Sequence, residues 1–190
     1  MKKEYRNGMR TKRMIRDAFV ELLGEKKRME EISVRALAER ADVAKSTFYN
    51  HYTDVWAVAE EMQDELISHL CASLDEIDAG GEYEPILLHL LGFLKGNEAL
   101  YRRMMCSPDA APFLERLKIT VSEKVFAENR TLPFAQNKAE RYAQVRLLTH
   151  ACVDTVADYF RGALALSLEE LGALLLSFLS RLQAGEAPKK

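Results

Sequence analysis

The run Lys45-Ser46-Thr47-Phe48-Tyr49-Asn50-His51-Tyr52 packs an ammonium, two short hydroxyls, an amide, an imidazole and two phenols into little more than two helical turns. Groups of this kind donate hydrogen bonds to phosphate oxygens, and short ones let a helix sit deep in the major groove of DNA. An ordinary pair of amphipathic helices would account for an inward Phe48. It would not account for so many donors on the outward side.

The residues before the run supply what is needed to position it. Ser33 can cap a helix by accepting from a free amide one turn in, and Ile32 can staple onto Leu37. Val34, Leu37, Ala38 and Ala41 then share one apolar face. Asp42 enters the left-handed conformation of a sharp turn more readily than a β-branched residue. Val43 plugs the angle, and a second helix from about Ala44 to Asn50 turns Phe48 inward and Lys45, Ser46, Thr47, Tyr49 and Asn50 outward. Two short helices about a tight turn form a helix-turn-helix.

The phrase S-T-F-Y-N-H-Y resembles the signature of the TetR family of bacterial transcriptional regulators. The likeness covers about residues 10 to 60, through K-R-M-I-R-D-A-F-V-E-L-L, I-S-V-R-A-L-A-E-R-A-D-V and T-F-Y-N-H-Y. It implies a three-helix DNA-binding head, residues 1–52, on a helical body, residues 53–190, that dimerises and binds an inducer. Carried onto this chain, Ser33, Arg35, Lys45, Thr47, Tyr49, His51 and Tyr52 would meet or flank the DNA backbone, with Ser46 and Asn50 at base edges. Three positions depart from the family pattern: Asp42 replaces the turn glycine, Ala44 the serine opening the recognition helix, and Val55 a lysine at the start of helix 4. The last two remove a cap and a phosphate contact.

Charge is divided in the same way. Residues 1–52 carry 13 Lys or Arg against 8 Asp or Glu, a net of +5, and the remainder 14 against 21, a net of −7. Attraction to nucleic acid must therefore come from the head, since the whole chain has a net charge of −2. The basic N-terminus could reach backbone or minor groove as a flexible arm, though a basic N-terminus is as often merely solvated. No uncharged apolar run reaches the ~18 residues of a membrane span, and no signal region is visible, so a soluble cytoplasmic protein is expected. Cys71, Cys106 and Cys152 have no metal-ligand spacing; free thiols, no structural metal and no cofactor are expected.

Beyond the head the pattern is helical throughout, giving an all-α chain of about nine helices. Helix 4 is predicted from Thr53 or Asp54 to Ile77, running from head into body as a lever, and Gly80-Gly81 stop it. Pro85 opens helix 5, Asn97 caps helix 6, and Ser107-Pro108 open helix 7, which runs to about Asn129. A loop follows from Arg130 to Asn137. Helix 8 covers about Lys138 to Phe160, and helix 9 runs from a Ser167 cap to about Gln183 before a frayed tail. Helix 9 carries Leu171, Leu174, Leu175, Phe178 and Leu182 in a wide apolar stripe, and Leu164, Leu166 and Leu176 add apolar surface outside it, more than one intramolecular face needs. A terminal helix docked on its own core explains part of the stripe; the family resemblance implies a homodimer through a four-helix bundle, whose two-fold symmetry suits a palindromic double-stranded operator.

The body also resembles the subgroup that includes dihydroxyacetone-kinase-operon regulators, through N-E-A-L-Y-R-R-M-M (Asn97 to Met105) and S-L-E-E-L (Ser167 to Leu171). It departs from that subgroup at Thr149 to Val153 and at Tyr159-Phe160, where a glycine pair and a tryptophan are usual. The subgroup contains partner-dependent proteins as well as repressors, so it leaves the sign of regulation open. An effector pocket is expected by analogy, with His89, Tyr101, Met104, Met105, Tyr142, His150 and Asp154 as candidate lining; surface or core roles explain each of them as well. His150 and Asp154, at i and i+4, suit an ion pair as well as a metal.

No phosphate loop, H-E-x-x-H or G-x-S-x-G points to an enzyme. The expected function is a dimeric repressor released by a small molecule. The alternative is a helix-turn-helix protein acting mainly through a partner protein, with weak DNA binding alone.

Overall fold

The computed structural model describes residues 2–26, 28–75, 84–127 and 137–183, without the side chains of 2–7, 84–86 and 183. The described residues form nine α-helices, one 3₁₀ turn and no strand. Helix α1 (Lys2–Glu25) turns Ile15, Ala18, Phe19, Leu22 and Leu23 inward at three- and four-residue steps. Helices α2 (Val34–Arg40) and α3 (Lys45–Tyr49) cross it, and Phe19, Leu37 and Phe48 are fully buried. The backbone is helical from Lys2, so the basic N-terminus extends α1 instead of forming the expected flexible arm.

Helix α4 (Val55–Asp75) leaves this three-helix head and enters the body. Asp54 caps it, its carboxylate accepting from the Ala57 amide at 2.8 Å. Val55, Val58, Ala59, Met62, Leu66 and Leu74 are buried along one side of α4. The predicted continuation to Ile77 and the Gly80-Gly81 stop lie outside the described residues.

The body is completed by α5 (Glu84–Gly96), α6 (Glu98–Cys106), α7 (Ala110–Ala127), α8 (Lys138–Phe160) and α9 (Leu168–Gln183). Helix α7 lies against α8 and α4, α9 against α5, and α6 between α8 and α1. At the α5–α9 crossing Gly172 is required by close approach, because a Cβ there would run into Leu91. Helix α8 begins at an Asn137 cap that accepts from Glu140 N at 2.9 Å. It ends in a Schellman turn, with Ala163 N donating to Asp158 O and Gly162 at φ +76°. Ser167 and Glu170 form a capping box for α9: Glu170 N donates to Ser167 Oγ at 3.1 Å and Ser167 N to Glu170 at 2.7 Å.

Asn97 departs from its expected role as a cap. Its side-chain amide donates to Phe93 O at 3.1 Å, satisfying a carbonyl at the end of α5 instead of an amide of α6. Helix α7 starts at Ala110, because Asp109 is drawn toward the head, where its carboxylate accepts from Met29 N at 3.2 Å. Arg103 joins the same seam: it crosses Gly24 and donates to Val20 O at 2.9 Å. One buried apolar cluster runs through head and body. The loop predicted from Arg130 lies outside the described residues up to 136, as does the tail from 184.

Candidate nucleic-acid interface

Helix α2 is held by its Ser33 cap, whose hydroxyl accepts from Ala36 N at 3.1 Å. The turn that follows puts Asp42 at φ +52°, as its left-handed tolerance predicts. Val43 N donates to Ala38 O at 3.0 Å and closes the turn. Helix α3 opens at Ala44 with no side-chain cap. Phe48 anchors it, packed edge-on to Tyr49 at 5.6 Å and against Tyr52 at 5.8 Å.

Around this anchor the polar residues divide. Lys45, Ser46, Tyr49 and Asn50 are exposed, with Tyr49 57% open to solvent, and Thr47 and His51 are half-buried. Lys45 makes no ion pair among the described residues. Arg35 is exposed and pairs with Glu39 at 2.8 Å, so a phosphate would compete for it. Gly8 of α1 lies beside the His51 ring.

Tyr52 is a correction. It is buried, and its hydroxyl donates to Glu61 of α4, which leaves it unavailable to DNA. Glu61 also receives Lys12 at 2.5 Å and Arg16 at 2.9 Å, and Arg16 forms a two-pronged pair with Glu65 at 2.6 and 2.7 Å. Lys12 lies 5.4 Å from the Tyr52 ring centre. Burial alone would raise the Glu61 carboxyl, but hydrogen bonds from Lys12, Tyr52 and Arg16 outweigh it and hold it at about 2. Burial, then the bond to Glu61, pushes the Tyr52 phenol up to about 12. These groups fasten α1 and the end of the recognition segment to α4. Sequence reading missed the junction, although Lys12/Arg16 and Glu61/Glu65 are i,i+4 pairs of opposite sign. Trp56, 46% exposed in the first turn of α4, was missed too.

In the body, side chains from α4 through α9 line a partly open cavity of about 210 Å³. Of the predicted lining, Tyr101 and Met105 are there. Five are elsewhere. Exposed His89 stacks on His69, with the Nε2 atoms 3.1 Å apart. Met104 packs with Phe19, Leu23 and Met29 at the head–body seam. Tyr142 lies edge-on to Phe126 at the surface. Half-buried His150 does not line the cavity, and Asp154 pairs with Lys118 of α7 at 2.6 Å instead of with His150. The Asp154–Lys118 pair spans α8 and α7, whereas His150 Nε2 is buried without a hydrogen-bond partner among the described residues. No group of three or more metal-ligating side chains occurs among the described residues.

The predicted dimer stripe also divides. Leu171 is fully buried and Leu175 nearly so, both in the chain's own core. Leu174 and Phe178 remain 53% and 46% exposed, Leu182 is half-buried, and Leu147 of α8 is 70% exposed.

The fold, a helix-turn-helix seated on a helical body by a buried seam, is similar to that of three solved structures. The dihydroxyacetone kinase operon activator DhaS superimposes with a TM-score of 0.61 at 17% identity, covering 93% of this chain and 98% of that one. A TetR transcriptional regulator from Streptococcus agalactiae 2603V gives 0.63 at 23%, covering 93% and 97%. The TetR family repressor AlkX from Dietzia sp. strain DQ12-45-1b, implicated in n-alkane biodegradation, gives 0.55 at 15%, covering 92% and 95%. No protein-family profile and no curated protein sequence matches the chain. The likeness is one of fold. No helix among the described residues is long and apolar enough to cross a membrane.

Proposed function

We propose that the chain is a TetR-family transcriptional regulator that binds a palindromic DNA operator as a homodimer and is released by a small molecule. The supporting observation is the pairing of a fully buried Phe48 with exposed Lys45, Ser46, Tyr49 and Asn50: a short helix fixed on one face and rich in donors on the other. Residues 1–52 serve recognition, and residues 53–190 serve dimerisation and control. The protein acts in the cytoplasm and needs no cofactor.

Leu147, Leu174 and Phe178 form the apolar surface for the second copy, through α8 and α9. The cavity wall includes Leu66, Leu70 and Leu74 of α4, and Glu61 of the same helix carries the head junction. An occupant that displaces α4 would shift the separation of the two recognition helices and spoil their fit to paired half-sites.

The test is selection of bound sequences from a random DNA pool, followed by titration of the winner at two salt concentrations. A palindromic winner whose affinity falls steeply with salt supports the reading. A dimer that enriches nothing removes it and favours the partner-dependent alternative.

A further inference from the structure

The body cavity has a chemical bias that the sequence did not reveal. Among the described residues, its wall is built almost wholly of Leu, Val, Ala, Met and Phe side chains from six helices, and no lining residue carries a charge at neutral pH. Among the described lining side chains, the hydrogen-bonding groups are the Tyr101 and Thr149 hydroxyls and the weak Cys152 thiol. Burial pushes both Tyr101 and Cys152 further toward their neutral forms. Two charged groups next in sequence to lining residues have partners of their own: Asp154 pairs with Lys118, and Lys95 with Glu169 at 2.6 Å.

We propose that this cavity binds an uncharged, predominantly hydrocarbon molecule carrying at most one or two hydrogen-bonding groups, and that this molecule is the effector. The inference rests on the regulator reading above and specifies its ligand. A carboxylate, phosphate or ammonium placed here would lose its water with no opposite charge to replace it. A neutral hydrocarbon loses nothing of that kind and gains the contacts an empty apolar space lacks. At about 210 Å³ the space exceeds the ~150 Å³ apolar cavity that holds benzene, which sets the ligand at about eight to ten heavy atoms.

Calorimetric titration of the DNA-free protein with 1-octanol and with octanoate at neutral pH separates charge from chain length. Octanol is expected to bind saturably and at least about tenfold more tightly than octanoate. Val153→Phe fills the cavity from α8 and should abolish the octanol signal while the helical melting curve stays cooperative. Val121→Phe fills it from α7 and carries the control if the first variant unfolds. Equal or tighter octanoate binding overturns the proposal, as does an absence of saturable octanol binding. Octanol binding that leaves a selected operator complex intact would uphold the ligand class and overturn release by it, and failure to select any operator would leave the calorimetric result standing.

Discussion

Head and body solve opposite problems with the same kind of helix. The head closes on itself: Phe19, Leu37 and Phe48 are fully buried, and a net of charged hydrogen bonds through Glu61 pins its open side to α4. The body leaves a partly open apolar cavity among six helices. A recognition surface must hold its shape to within a hydrogen bond, whereas a sensor must have a second arrangement available. On the function proposed above, dense packing would serve the first and a void bordered by α4 the second.

The comparison breaks most sharply under truncation. Phe48→Ala should cost about 3–5 kcal/mol of stability, because both the transfer of the ring and a new cavity are unfavourable. Val153→Ala, at the edge of space that already exists, should cost no more than about 1 kcal/mol. Denaturant titrations of the two variants check this, and comparable losses would mean the body is as tightly packed as the head.

Next in size are effects confined to the proposed DNA surface. Lys45→Ala and Tyr49→Ala should each weaken operator binding by about 1–3 kcal/mol if they make charged or buried hydrogen bonds. Both side chains are exposed, so their melting curves should match the parent's. Unchanged affinity in both variants would remove them from the interface.

What was legible in the sequence was local. Ser33, Asp42 and Ser167 act within a few residues of where they stand, and the structure uses each as its type predicts. Asn97 failed because one amide side chain had two unsatisfied helix ends within reach, and it served α5. The cavity was illegible for a different reason. Periodicity marks which side of a helix is apolar, but not whether the facing helices close the gap. Polar residues were expected to mark the pocket, yet His89, Tyr142 and Asp154 found partners at the surface. The α9 stripe likewise mixed core and free surface, since Leu171 and Leu174 differ only in which side of the helix meets α5 and α8. The Glu61 junction lies between, with its i,i+4 charge pairs visible in sequence but their meeting across 49 residues visible only in the fold.

That junction gives a smaller, pH-dependent test. Glu61 is held at about 2, below an ordinary carboxyl, so its contribution is full above the usual carboxylate range and is lost as pH falls toward 2. Glu61→Gln keeps the shape and removes the charge. Partial exposure limits its cost to about 1 kcal/mol near neutral pH. The difference between parent and variant should shrink through the acid range, and a difference independent of pH would show that the carboxylate's charge is not what fastens head to body.

The smallest expected effect is a gain, and it lies at the uncapped start of α3. Helix α3 has only five residues, and its opening amides receive no side-chain cap because Ala44 has nothing to offer. Ala44 already holds the extended backbone of a cap residue, φ −67° and ψ 148°, so Ala44→Ser adds an acceptor without moving the chain. Such caps contribute about 0.5–2 kcal/mol, and an exposed site on a short helix belongs near the lower end. If recognition depends on how firmly α3 is held, Ala44→Ser should raise operator affinity together with stability. A rise in stability alone would mean that Phe48 already fixes the helix and that the missing cap leaves recognition unaffected.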